Sequence, residues 1–550
     1  MIGSDRGRGQ CRNVKGYDGE AVGVIDVWPS KLDWSYALIL GAAFFWLSYL
    51  FFTHTAEDAY IVARYVNNLL AGKGLVYNEG ERINALTSAA HTFLLAGLRS
   101  FVTDAVLVYK AIMLGALPVI LYGVGRRVFK NRWSVLFYLS LTLLSPFVVL
   151  WAVGGMETPI LLFILSTISG LTLQSNHPSS RTAAWVILLS ALAFLTRYDS
   201  AVFLVPVVGK LLWDHRRSSS VWVSFGISSL VVLVWLSFTL MYYHDLLPTS
   251  FYTKSPLFQT SQSLLRGLLY LASFLVASLT FLPLFSKRPL IQAGTPSTPA
   301  GSDGVTTGVL IGLFLFGGYA ILAGTKHMMY AYRLYVPFIP TLILVLLKLG
   351  SLSVFANARG KRLLFLAIVA YQCGLGYVVN EFSINANVTL LLKRQDPYNE
   401  YFEFSTFGAK YSIEALKIYH QGAIETKEHW RARGGSVDSI PRMYILPGGM
   451  LPYSYPELYV YETLASYRHR CTYDFKTTAH YLYLIYPTEK ADTPSQVFGN
   501  DLPKWQRISS HLLAARGISE SLPIRFEIYF QEAPARNKLP PRIDQPCLGN

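Results

Sequence analysis

Residues 35–82 read SYALILGAAFFWLSYLFFTHTAEDAYIVARYVNNLLAGKGLVYNEGER. The opening part, 35–53, is apolar and long enough to cross a bilayer, which takes about 17–25 residues. The acidic pair Glu57-Asp58 follows at once. Tyr60, Ile61, Arg64, Tyr65 and Asn68 then recur at helical spacing, and Gly72 and Gly74 close that run. A second helix over 84–101 is expected to lie along the outer surface. Carboxylates at a membrane boundary are costly unless solvated or paired. The pair therefore reads either as acidic caps on a helix start or as acids facing a polar cavity.

The rest of the chain repeats the first element. The 550 residues are 52% hydrophobic and 15% charged, well below the roughly 25% charge of soluble domains. About eleven apolar segments recur, at 35–53, 104–125, 134–154, 159–174, 182–196, 201–213, 221–241, 264–285, 305–324, 335–349 and 363–379. The fifth and sixth share the polar hinge Arg197-Tyr198-Asp199 and read as two tilted spans or one broken pair. The expected fold is a polytopic α-helical membrane protein with a C-terminal soluble α/β domain. This pattern excludes disorder, collagen, coiled coil and a soluble enzyme.

The net charge of +15 is placed by topology rather than by nucleic acid. Arg126, Arg127, Lys130, Arg132, Arg216, Arg217, Arg359, Lys361 and Arg362 fall in alternate loops, which the positive-inside rule makes cytoplasmic. The expected division is a cytoplasmic tail over 1–34, a membrane body over 35–384 with a first outer loop at about 54–103, and an outer domain over 385–550. In that domain β-like runs stand at 442–446, 481–485 and 524–529. Helical periodicity appears at 411–419 and 502–515. The stretch 292–304 reads as an inner linker. Cys471 and Cys547 both fall outside on this topology, where an oxidising compartment would allow a disulfide between them.

The polar motifs gather on one side. Gly154-Gly155-Met156-Glu157-Thr158-Pro159, Arg197-Tyr198-Asp199, His244-Asp245 through Tyr252-Thr253-Lys254, and Lys326-His327 through Arg333 all follow outward-running segments. They join Glu57 and Asp58 there, while the inner loops offer only basic residues and linker. A carboxylate near a hydroxyl can serve as general base. Arg, Lys and His can hold a phosphate and stabilise its charge as it departs. Tyrosines can stack on sugar rings while their hydroxyls hydrogen-bond.

Four ordered motifs carry a resemblance. They are Glu57-Asp58-Ala59-Tyr60 through Gly72-Lys73-Gly74-Leu75-Val76-Tyr77-Asn78, Met156-Glu157-Thr158-Pro159, Asp245-Leu246-Leu247-Pro248-Thr249-Ser250-Phe251-Tyr252-Thr253-Lys254, and Met329 through Tyr332-Arg333-Leu334. Together they resemble the GT-C-type, polyprenyl-phosphate-dependent glycosyltransferases, and most nearly the mycobacterial terminal arabinofuranosyltransferases. Where that family often carries G-G-D, this chain has Gly324-Thr325-Lys326-His327, with cations in place of the acid. In the C-terminal part only Leu446-Pro447-Gly448-Gly449-Met450-Leu451-Pro452-Tyr453 is loosely similar.

The resemblance implies a bacterial inner-membrane enzyme. It would move a sugar, D-arabinofuranose by the nearest likeness, from a polyprenyl phosphate to a periplasmic glycan, lipid or protein acceptor. It implies Asp58 as the leading catalytic carboxylate, with Glu57 second. Arg333 and Lys254 would bind donor phosphate, with Lys326, His327, His244 and Arg197 in reserve. Tyr60, Arg64, Tyr65, Glu157, Asp245 and Tyr252 would shape the sugar pocket. No cofactor is expected to be required; a divalent metal stays open, since acids and histidines share this face without any ligand spacing. The competing readings are a mannosyl- or other hexosyltransferase of the same architecture, a lipid-linked sugar transporter or flippase, and a non-catalytic assembly subunit.

Overall fold

The computed structural model describes residues 31–175, 177–253, 261–280, 304–323, 330–349, 358–381, 409–434, 441–445, 449–461, 479–487, 494, 504–516 and 521–531. Lys254, Lys326, His327, Cys471 and Cys547 lie outside them, as does the side chain of Tyr252, and so does the linker at 292–304.

Each expected apolar segment is mainly helical where described. The helices are α1 (Lys31–Phe51), α2 (Asp58–Leu70), α3 (Ala89–Arg99), α4 (Ala105–Val128), α5 (Arg132–Thr142), α6 (Pro146–Ala152), α7 (Thr158–Leu173), α8 (Ser180–Thr196), α9 (Ala201–Asp214), α10 (Ser219–Tyr243), α11 (Thr249–Thr253), α12 (Ser261–Ala277), α13 (Gly304–Ala323), α14 (Ile339–Leu349) and α15 (Ala358–Glu381). Among the described residues four helices are long and apolar enough to cross a membrane: α1, α4, α10 and α15. Helices α5 and α6 make a fifth only as one span bent by 64°. The bend falls at Ser145-Pro146, where proline opens α6 without an N–H to give to the preceding turn. Helices α8 and α9 are separate, joined at the hinge by a single 3-10 turn, Tyr198–Ser200.

The core of this body is apolar and continuous. Leu117, Leu121, Phe147, Leu165, Phe203 and Ile343 from five helices are all buried in it. Exposed Phe45, Val119, Val205, Leu233 and Phe314 line the outside, as expected where lipid rather than water is the solvent.

The C-terminal residues form a different layer. Helix α16 (Ala409–Ala432) packs on a five-stranded sheet of order β2-β1-β3-β5-β4. Strands β1 (Arg442–Tyr444), β2 (Tyr459–Tyr461) and β3 (Tyr481–Pro487) are parallel, whereas β5 (Ser521–Phe530) runs antiparallel to both β3 and β4 (Gln506–Arg516). The helix expected over 502–515 is therefore strand β4. An irregularity between Arg507 and Ser509 shifts its register against β5. Beyond it Ser509 and Leu513 point inward while Ser510 and Leu512 point out, and pairing with β5 overrides local propensity.

The segment between α1 and α4 joins the two layers. Tyr65, Leu75 and Tyr77 share one apolar cluster with Tyr419, Ile445, Leu451, Tyr483 and Phe526. Asn78 acts as a strand substitute: its Nδ2 donates to the carbonyl of Val460 at 2.9 Å and its Oδ1 accepts from the Val460 N–H at 3.2 Å. The short helix α17 (Met450–Ser454) packs against α2 at this seam.

Candidate active site

Asp58 is the first residue of α2, shortly after the end of α1. Glu157 ends the loop before α7. Arg197 closes α8 and Asp199 sits in the hinge turn. Arg333 leaves a turn in which Ala331 and Tyr332 hold φ of 44° and 56°. Such angles are unusual for residues other than glycine, and they persist only where surroundings enforce them. Here the surroundings are visible: Tyr332 is buried, its ring 4.8 Å from that of Phe147, and the Ala331 carbonyl accepts from Trp151 Nε1 at 3.1 Å.

These elements meet at one guanidinium. Arg333 Nη1 donates to Asp58 Oδ2 at 3.1 Å, and Nη2 donates to both oxygens of Glu157 at 3.2 and 3.4 Å. Its Cζ stands 5.3 Å from the centre of the Trp151 ring. Arg197 approaches Glu157 from the other side at 4.0 Å and is also paired with Asp199. Two guanidinium groups thus bridge three carboxylates from three separated stretches of chain.

Exposure differs sharply within the cluster. Side-chain exposure is 25% for Asp58, 14% for Asp199, 12% for Arg333 and 3% for Glu157. Burial by itself pushes the Glu157 carboxyl up, but Arg333, Arg197 and His91 outweigh it and hold the group below its usual range. Burial likewise lowers Arg197, and Asp199 and Glu157 reverse that to a net rise. Glu157 is therefore a fixed anion that anchors both cations. Asp58 is the acid with room for a reactant.

Gly155 makes the loop before Glu157 fit. Its φ is +75°, and an added Cβ would stand 3.0 Å from Ala59 Cβ and 3.2 Å from Thr55 Cγ2. The loop carbonyl of Gly154 accepts from the Ala56 N–H at 2.8 Å, tying it to the segment that carries Asp58.

The remaining expected residues are placed elsewhere. Glu57 does not join the cluster. Consecutive residues at a helix start point about 100° apart, and Glu57 Oε1 accepts the backbone N–H groups of Gly449 and of Met450, the latter at 3.0 Å. Arg64 is buried and donates to the carbonyls of Tyr77 at 2.8 Å, Leu458 at 2.7 Å and Pro452. Tyr65 is fully buried, its hydroxyl donating to the Ile83 carbonyl at 2.8 Å. These three thus bind the segment between α1 and α4 to itself and to the residues around α17. Tyr60 meets Tyr453 at 5.2 Å between ring centres, and burial with nearby acids pushes its hydroxyl up to about 12. His244 is exposed in a left-handed turn and Asp245 is half-buried beside it.

Two neighbours of the cluster carry no sequence signal. Trp151 and His91 sit inside apolar runs where core packing is the ordinary reading. His91 is fully buried, and neither ring nitrogen finds a partner among the described residues. Burial first, then Arg333, lowers it to about 4 against the opposing pull of Glu157. Among the described residues no three His, Cys, Asp or Glu side chains stand where they could hold a metal ion.

The chain is similar to known proteins both in part of its sequence and in fold. Residues 87–242 match the family of dolichyl-phosphate-mannose-protein mannosyltransferases. Over 90% of the chain, and 98% of the other, the structure is similar to that of ArnT from Cupriavidus metallidurans, solved with undecaprenyl phosphate, with a TM-score of 0.50 at 12% identity. In fold the chain is GT-C-like, and over part of its length its sequence is similar to glycosyltransferases. Its long apolar helices make it a multi-pass membrane protein. A terminal β-(1→2)-arabinofuranosyltransferase of Mycobacterium tuberculosis is 25% identical to this GT-C-like chain over 261 residues. That match covers 43% of the present chain and 40% of the length of the relative.

Proposed function

We propose that the chain transfers a glycosyl residue from a polyprenyl phosphate to a hydroxyl of a periplasmic glycan, lipid or protein. The observation that carries this reading is the Asp58–Arg333–Glu157 bridge, one open acid beside a cation whose position a buried acid fixes. Asp58 takes the proton of the acceptor hydroxyl. The acceptor oxygen bonds to the anomeric carbon as the bond from that carbon to the phosphate oxygen breaks. The polyprenyl phosphate leaves with the electron pair, and Arg333 and Lys254 offset its charge. Glu157 holds Arg333 and Arg197 in place and makes no bond to substrate. In this proposal the apolar helices cross an inner membrane about eleven times, as hydropathy suggests. Residues 1–34 are then cytoplasmic, and 385–550 form a periplasmic domain. No cofactor is assigned.

D-arabinofuranose is the first sugar to test, on the strength of the matched arabinofuranosyltransferase. The match to mannosyltransferases favours a mannosyl donor as second reading. The test is transfer or hydrolysis of synthetic polyprenyl-phosphate sugars by purified protein in nanodiscs, read by mass spectrometry. Turnover of one donor, lost in Asp58→Asn, supports the assignment. Equal turnover in that variant refutes Asp58 as base. No turnover or binding of any donor returns the transport and non-catalytic readings.

A further inference from the structure

Glu57 stands beside the proposed base yet turns away from it. Its Oε1 accepts two consecutive backbone N–H groups, those of Gly449 and Met450, at the start of α17. These bonds span more than 390 residues of sequence. Glycine is required at the far end for want of space: a Cβ on Gly449 would collide with the backbone carbonyl oxygen of Glu57 and lie 2.5 Å from its Oε1. Along the same side of α2 follow the contact of Tyr60 with Tyr453 and the bonds of Arg64 to Pro452 and Leu458. Asn78 pairs with Val460, and Glu81 Oε1 accepts from the Tyr459 hydroxyl at 2.7 Å. The segment 449–461 is thus held by the residues between α1 and α4 at five side chains, and the first of them is the neighbour of Asp58.

We propose that Glu57 is a positioning residue: its bonds to Gly449 and Met450 lock the start of α2, so the docked C-terminal sheet fixes where Asp58 meets the acceptor. The catalytic arm of this inference rests on the proposed transferase function; the mechanical arm does not. A misplacement of about 1 Å at a reacting group costs on the order of 100-fold in rate. A carboxylate that only accepts N–H bonds can be replaced by an amide oxygen, whereas a carboxylate that takes a proton cannot.

The experiment compares Glu57→Gln, Glu57→Ala, Gly449→Ala and Asp58→Asn in full-length protein in nanodiscs, with rates normalised to folded protein. Glu57→Gln is expected within about tenfold of wild-type kcat. Glu57→Ala and Gly449→Ala should lose roughly 10- to 100-fold in kcat while donor KM changes less than about threefold. Hydrogen exchange on the same samples should quicken in both 56–66 and 449–454 for Glu57→Ala and Gly449→Ala, and stay near wild type for Glu57→Gln. A Glu57→Gln variant as inactive as Asp58→Asn would overturn the proposal and make Glu57 a reacting group. Unchanged exchange at 449–454 in Glu57→Ala would overturn it too, as would unchanged kcat. If Gly449→Ala fails to fold, the two Glu57 variants decide alone. If wild-type protein turns over no donor, the transferase reading fails, and hydrogen exchange still decides whether the lock exists.

Discussion

Replacing Arg333 by Met, an apolar chain of similar length, tests the centre of the cluster. It leaves Glu157 with Arg197 at 4.0 Å, a cation already paired with Asp199. The Glu157 side chain is 3% exposed, so water cannot take over the lost donors. Removing one partner of a buried ion pair costs about 3–5 kcal/mol, chiefly for the charge left behind. The lost Asp58 contact adds little, since that side chain is open enough for solvent to screen it. In a Glu157→Gln background the stranded charge is absent, and the same replacement should cost about 1–2 kcal/mol, the scale of an ordinary hydrogen bond. The coupling in the double-mutant cycle is therefore about 2–3 kcal/mol. Denaturant unfolding of the four proteins in one detergent provides the assay. An equal cost of Arg333→Met in both backgrounds would refute the view that Arg333 and Glu157 act as one unit.

Other outcomes follow from single contacts. Arg64→Met strands the carbonyls of Pro452 and Leu458, while that of Tyr77 keeps its bond from Asn68; it should cost about 3 kcal/mol and make the sheet region markedly more sensitive to protease in limited digests. Gly155→Ala forces a left-handed residue against Ala59 and Thr55, so it should cost about 1–3 kcal/mol and depress donor turnover, read by thermal unfolding and transfer assay together. His91 has a folded value of about 4 against 6.5 for the free side chain. The unfolded chain then binds a proton that the folded one refuses, so His91 costs stability as pH falls from about 6.5 to about 4 and costs none above that window. The full effect is about 3 kcal/mol. His91→Leu should flatten the pH dependence of unfolding in that window, and an unaltered slope would rule the burial argument out.

What the sequence determined by itself is whatever rests on local chemistry. Apolar runs bounded by Arg and Lys are mainly helical wherever they are described, because a backbone in hydrocarbon must satisfy its own hydrogen bonds. The order of the outer motifs was legible for the same reason: acids and cations are too costly to leave inside lipid, so they mark the helix ends. Asp58, Glu157, Arg197 and Arg333 could thus be singled out without any knowledge of distance. Their assembly could not. Only tertiary packing brings the turn at Ala331 and Tyr332 beside Trp151 and aims Arg333 at two acids, one of them 275 residues away. Packing also separated Glu57 from Asp58, since one points to Arg333 and the other to the backbone of Gly449 and Met450. The strand at Gln506–Arg516 was misread as a helix because its partner, not its own periodicity, decides its state. Interactions that close over hundreds of residues depend on the shape of both surfaces, and a linear pattern records only one surface at a time.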